Sequence, residues 1–551
     1  MNGAFGMRQG EVDERKNVPC ILHPASKIRH HLSVLLFLLL LTPILLGAKS
    51  FNYGEIHAMP KGVEKDYYIW RYLRQKSTTK AEAKRIIREA SRINPSLKKA
   101  YRRKTGHNPP PIRRRAKTLT PAQKRELARK EKVTLSVLSA PHPLQAWKKL
   151  SPEMRLFVFS HAGKKGRRRL DHPMSEREWQ ELSRHNGANL MLYYTRRERL
   201  PKLGRILRYK PAKDNALRYD YLMRMGFEAL ERNEMDLAEY DFARAVSRAP
   251  SRELADRALF WAWKAEDDRD YLKKLVKSYD INLYTLAARD ALKLKYDLGI
   301  TPKLPPGTVP GFDIRNPIHW HRLKRKIFDP RTDLRTLAAR FKTRQTVGHY
   351  TYIETKAGKD IPQYFPMPYR EFMEKLPLKR QAILYAIARQ ESRFIPASVS
   401  GSFALGMMQI MPFLVDHLKK VRREPRIDYD DMFDPLTALK YADTHLDYLT
   451  SWLHHPLFVA YAYNAGIGFT KRLIRRKDLF ENRSPYDPWI SLERVDNYQA
   501  NEYGKKVLTN YVVYMNKLGY PLRITDLLSV VHLPEITDRF RPRKKTKGAG
   551  R

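Results

Sequence analysis

Nowhere in this chain do apolar and polar residues sustain the period-two alternation that marks a half-buried strand. Apolar residues instead recur three and four apart over residues 136–300 and again over 370–525. A 551-residue chain with that pattern must bury its apolar surface helix against helix, so a mainly α fold of roughly two to four domains is expected. In RELADRALFWAWKAEDD, Leu254, Ala258 and Ala262, with Ala255, Leu259 and Trp263 beside them, form one such stripe.

The segment DLAEYDFARAVSRAPS carries Ala238, Phe242, Ala245 and Pro250 in an order that resembles the second helix of a tetratricopeptide repeat. The tryptophan and first-helix glycine of that pattern are absent, and three regular copies cannot be traced. Residues 136–300 are therefore expected to be an irregular, solenoid-like superhelix, with an ordinary helical domain as the alternative. Before them, residues 51–135 are basic and read as partly helical or flexible, with one clear helical stretch, TTKAEAKRIIREASRI. After them, residues 301–369 open with TPKLPPGTVPGF and close with GKDIPQYFPMPY, a Pro-rich linker region. A second helical domain is expected over 370–525, and residues 526–551 read as a basic tail.

Charge narrows the classes of partner. Lys and Arg number 106 against 58 Asp and Glu, a formal net charge of +48, which favours a polyanion: nucleic acid, anionic lipid or an acidic wall polymer. Residues 1–50 point outward from the cytoplasm. Leu32–Ala48 is uncharged and apolar and follows Lys27 and Arg29, the order of a secretory signal. At about 17 residues it lies at the lower edge of what spans a bilayer. A cleaved signal is expected, with an uncleaved anchor and inner-membrane association as the alternative. The lone Cys20 precedes the apolar run, so the mature chain would have neither disulfides nor thiol chemistry. Export and the lack of a recognition module count against nucleic acid, despite basic runs at 101–117 and 539–551. His319, His321, His445, His454 and His455 lack partners at metal-ligand spacing, and no glycine-rich phosphate loop is present, so neither metal nor cofactor is expected.

Three blocks in the C-terminal domain carry chemistry. The first is ARQESRF, where Glu391 falls four after Ile387 and three before Phe394, on what should be an apolar face. Loss of hydration there disfavours the charged carboxylate and raises its pKa, making the group a paired structural acid or a proton donor. The second is GMMQIMP, where Gly406 admits close backbone approach and the amide of Gln409 can donate and accept. The third is AYAYNAG, an apolar helix that stops at Asn464-Ala465-Gly466 and leaves the Tyr463 hydroxyl facing a cleft. Alone, each block has an ordinary structural explanation; their conjunction in this order does not.

ESRF, GMMQIMP and AYNAG together resemble the signature blocks of the soluble lytic transglycosylases, which share the goose-type lysozyme fold. The resemblance covers 380–525 strongly and extends more weakly to RALFWAWKAEDD and LYTLAARDAL. It implies a lysozyme-like α catalytic domain after the superhelix. It also implies non-hydrolytic cleavage of the β-1,4 bond between N-acetylmuramic acid and N-acetylglucosamine in peptidoglycan, leaving a 1,6-anhydro end. By position, Glu391 takes the place of the single general acid and base, Ser400 that of a serine assisting the N-acetyl side, and Gln409, Met411, Tyr463 and Asn464 those of cleft residues. Two departures stand out: Met407 replaces the usual leucine, and Gln499 stands where the family commonly has a glutamate four before an aromatic, here Tyr503. Glu493 and Glu502 are the nearby acids that could compensate. A hydrolytic muramidase and a non-catalytic wall-binding protein of the same fold are the competing readings.

Overall fold

The computed structural model describes residues 50–112, 119–358 and 363–542. The apolar run at 32–48, Cys20 and residues 543–551 lie outside them, while the rest of the expected basic tail is folded, with helices at Ile524–Ser529 and Pro534–Thr537. Among the described residues helices follow one another and no β-strand forms; the only pairings are isolated bridges such as Leu405 with Val399 and Ile410. The chain is mainly α. None of these helices is long and apolar enough to cross a membrane.

The helix starts are set by local chemistry. Asn282 receives the backbone N–H groups of Tyr284 and Thr285 at the head of Leu283–Ala291, and Asn497 caps Tyr498–Lys517. Pro412 and Pro456 begin their helices, where a missing N–H costs nothing.

Within 219–291, Tyr219–Glu231, Met235–Arg248, Arg252–Glu266, Arg269–Val276 and Leu283–Ala291 pack each on the next. Ala238, Phe242 and Ala245 are fully buried, as a repeat-like helix requires. The glycine missing from the sequence pattern is supplied at Gly226 of the preceding helix. A methyl group there would sit 2.6 Å from the Phe242 ring, so its absence lets the two helices close. The expected stripe on Arg252–Glu266 shifts: Ala258 to Ala262 are buried all round, while Leu254, Ala255 and Trp263 are only half-buried. That helix is enclosed on more than one side, which a single-stripe pattern does not anticipate.

The two stretches that composition made look least structured are folded. Val63–Arg74 is buried along nearly its whole length. Its charges are matched: Glu64 meets His321 and Lys324, Lys65 meets Glu89, and Asp66 accepts from Ser91. Arg71 bonds Asp428 at 2.7 Å and Asp430 at 2.9 Å, and Tyr67 donates to Asp430, so this helix grips the loop before residue 433. In the Pro-rich region, Pro317–Ile327, Leu334–Arg340 and Val347–Glu354 share a small core of Trp320, Phe341 and Ile353, which Ile395 and Ala397 join. Proline-rich turns bracket helices here rather than replacing them.

Candidate active site

Glu391 sits in the last turn of Leu378–Ser392. That helix is not amphipathic: Gln381 to Ala388 are all buried, so it runs through the core as a central element. Its end is abrupt, because Arg393 and Phe394 both adopt left-handed backbone, at φ 55° and 63°. Such residues cost roughly 1–3 kcal/mol each and persist only where the surroundings fix them. Two contacts do so. Ser392 donates to the Met407 carbonyl at 2.8 Å and accepts the Ile395 N–H at 3.1 Å. Gly348 lies so close that a methyl there would be 2.3 Å from the Phe394 carbonyl oxygen.

The carboxyl of Glu391 accepts one hydrogen bond, from the Tyr503 hydroxyl at 2.8 Å. Burial pushes it up to about 7, and the Tyr503 bond pulls only weakly the other way. No cation pairs with it among the described residues. It is a half-buried acid that changes charge near neutrality.

The second block forms a tight hairpin-like turn. Leu405 and Ile410 exchange backbone bonds, and Gly406, at φ 74°, passes 1.9 Å from the Met432 carbonyl oxygen as judged from where its Cβ would lie. No other residue fits there. Gln409, itself left-handed at φ 49°, spends its amide N–H groups on the carbonyls of Gly406 (2.8 Å) and Ser398 (3.2 Å). Only its amide oxygen can therefore face a ligand, half of the capacity expected from sequence. Ser400 accepts the N–H groups of Ala404 and Ser402, so its oxygen also holds the turn. Met411 stands just before Pro412–Val421, makes no capping bond with its side chain and is half-buried.

The third block is Pro456–Ala465. The Tyr463 hydroxyl was expected to face a cleft; it donates to the Met408 carbonyl at 2.8 Å, while its ring lies close enough for the Glu391 charge to act on it. Asn464 is half-buried in the same turn. The three blocks thus converge: Ser392 ties the first to the second and Tyr463 the third to the second.

Residues 373–484 match the family described as Transglycosylase SLT domain. That segment of the chain is similar to the SLT domain. The soluble lytic murein transglycosylase of Escherichia coli (strain K12) is 32% identical over 173 residues, 30% of this chain and 26% of that protein. The Salmonella typhimurium protein of the same name is 29% identical over 175 residues, with the same coverage. The matches span about a quarter of the length of these relatives. Among solved structures, the 70 kDa soluble lytic transglycosylase of Escherichia coli aligns at 17% identity and a TM-score of 0.37, over 87% of this chain and 92% of its own.

Gln499 lies beyond the matched SLT region, exposed in the first turn of Tyr498–Lys517, and no bond connects it to Glu391. The residue that reaches the carboxyl is Tyr503, one turn on, which the sequence offered only as a reference point for Gln499. A signal was present. Gly504 sits mid-helix, where glycine is otherwise unfavourable, and it lets the Tyr461 ring approach to 2.2 Å of a would-be methyl. That packing sets Tyr498–Lys517 against Pro456–Ala465 and brings Tyr503 to the acid.

Glu493 does not substitute for the missing glutamate. It is buried at the seam with the helical hairpins, paired to Arg257, and accepts from Trp261 (3.0 Å), the Tyr284 hydroxyl (2.8 Å) and Lys505 (3.3 Å). Burial acts to raise its carboxyl, but Arg257 and Lys505 prevail and hold it at about 2. Glu502 lies 3.6 Å from Lys505. Both acids belong to the seam between the C-terminal helices and the hairpins.

Proposed function

We infer that this protein is a peptidoglycan lytic transglycosylase, cleaving between N-acetylmuramic acid and N-acetylglucosamine and closing a 1,6-anhydro ring on the muramyl unit. The observation that carries the reading is a lone acid. Glu391 is poised near neutrality by burial, is held by one neutral hydroxyl and, among the described residues, has no second carboxylate acting on it. Hydrolysing glycosidases use two carboxylates, one as acid and one as base or nucleophile. One suffices if the substrate supplies the nucleophile. Glu391 gives its proton to the glycosidic oxygen as the C1–O bond breaks. The 6-hydroxyl then bonds to C1 and its proton passes to the Glu391 carboxylate, restoring the starting state. A pKa near the working pH serves both steps.

Around this acid, Gln409 offers an acceptor oxygen, and Ser400, Met411, Tyr463, Asn464 and Gln499 are assigned to the sugar-binding cleft or its rim. Tyr463 and Ser400 act through the backbone they hold. The match to the SLT domain supports this reading, as do relatives named soluble lytic murein transglycosylases. The substrate lies outside the inner membrane, so the apolar run at Leu32–Ala48 is assigned as the export signal and the mature protein to the periplasm. A net charge of +48 would draw the protein to the carboxylates of the wall polymer.

The test is digestion of purified peptidoglycan with the intact protein and with Glu391→Gln, reading product masses. Expected are anhydro-terminated fragments from the former and none from the latter. Fragments carrying one added water would assign hydrolysis instead, and undiminished anhydro product from Glu391→Gln would remove the acid from its role.

A further inference from the structure

The helix that delivers Glu391 presents a different set of side chains on its other side. Arg389 and Arg393, one turn apart, line a cavity of about 410 Å³ that does not include Glu391. Its opposite wall comes from the hairpins, at Glu253 and the loop running from 279 to 284, and its floor from Lys506, Thr509 and Asn510. That volume lies in the range of small-molecule sites, and three separate parts of the chain build it.

The charges in this cavity are not balanced. Lys506 is paired with Glu253 at 3.2 Å and Lys505 with Glu493. Asp280 accepts from Gln363 and Asn282. Neither guanidinium is in a salt bridge of that kind among the described residues, although the charge of Asp280 acts on Arg389. Arg389 donates to the Tyr364 carbonyl (2.8 Å), the Asn510 side-chain oxygen (2.6 Å) and the Gln363 side-chain oxygen (2.8 Å), all neutral, and stacks 3.8 Å over the Phe365 ring. These bonds use three of its five N–H groups. Arg393 reaches only the Thr355 hydroxyl, at 3.4 Å. Among the described residues neither is in an ion pair, and the two repel one another: burial and the charge of Arg393 lower Arg389 to about 10, against the opposing pull of Tyr514 and Asp280.

We propose that this cavity is a second binding site, for a short peptide ending in a free carboxylate, which Arg389 and Arg393 grip while the polar wall takes the backbone. A planar carboxylate matches guanidinium N–H pairs in geometry and would relieve the repulsion between them. The hydroxyls of Thr351, Thr355 and Thr509 donate to carbonyls of their own helices and keep a lone pair that can accept a peptide N–H. The wall contributed by the hairpins gives that part of the chain a role in recognition as well as support.

Calorimetric titration of the full-length protein with N-acetyl-trialanine and with its C-terminal amide tests the site. The free acid should bind about tenfold tighter than the amide, the worth of one charge-assisted pair. Arg393→Gln, at an exposed position, should erase that preference without moving the melting temperature; Arg389 is half-buried and holds three neighbours, so Arg393→Gln decides. Equal binding of acid and amide, no binding of either, or a preference that survives Arg393→Gln would overturn the proposal. The readout involves no turnover, so it stands or falls separately from the role of Glu391.

Discussion

Glu391 and Glu493 are two glutamates removed from water within one domain, and they end in opposite states. Glu493, with 3% of its side chain exposed, is met by a guanidinium, an ammonium, an indole N–H and a tyrosine hydroxyl, and stays charged. Glu391 is met by one tyrosine hydroxyl and is held near 7. Burial acts the same way on both; the partners decide. A buried carboxylate becomes an acid for chemistry when the fold withholds cations from it, and a structural anchor when the fold supplies them.

The largest effect that separates them is on stability. Glu493→Gln strands Arg257 and Lys505 at the seam and should cost about 3–5 kcal/mol in urea unfolding, the usual penalty for breaking a buried pair. A cost near zero would mean that the seam is not held electrostatically. The pH dependence of the intact protein carries the same mark. With its folded pKa near 2 against an ordinary 4.5, Glu493 contributes stability that is fully present above about 4.5 and is lost as pH falls towards 2.

Glu391→Gln should do the reverse. Its carboxyl rises from 4.5 to about 7 on folding, so the charged form is penalised in the native state, and the penalty grows between those values and is complete above 7. The glutamine variant should therefore be more stable than the parent by about 1–3 kcal/mol above pH 7 and equal to it below about 4.5. Identical melting curves at pH 8 would place Glu391 in water.

Overpacking comes next. Gly504→Ala would press a methyl into the Tyr461 ring and should cost about 1–3 kcal/mol while displacing Tyr503, so turnover should fall with it. The smallest change is a shift of a profile. The free enzyme must enter with Glu391 protonated, so kcat/KM should fall as pH rises through about 7. Tyr503→Phe removes a bond that favours the charged carboxylate, so this limb should move to higher pH; a move to lower pH would mean that the hydroxyl serves the neutral acid instead.

Much of this was legible along the chain. Helical spacing without period-two alternation announced a mainly α fold, and the order of ESRF, GMMQIMP and AYNAG marked the acid and the turn beside it. The roles of individual side chains were less so. The hydroxyls of Tyr463 and Ser400 look available in a sequence, yet both are taken up by backbone groups, since a buried turn must satisfy its own N–H and C=O groups before it can bind anything else. Residues 51–135 read as basic and partly helical or flexible, because nothing local shows that the charges of Val63–Arg74 meet Asp428, Asp430, His321 and Lys324.

Sequence alone therefore set what depends on neighbours within a few residues: helix periods, caps, the glycine turns and the presence of an acid at the end of an apolar helix. Tertiary structure decided what depends on distant partners. Glu391 receives Tyr503 from 112 positions away and, among the described residues, no cation, whereas Glu493 receives Arg257 from 236 positions in the other direction. Protonation follows from the local dielectric and from nearby charges, both of which exist only once the helices have packed.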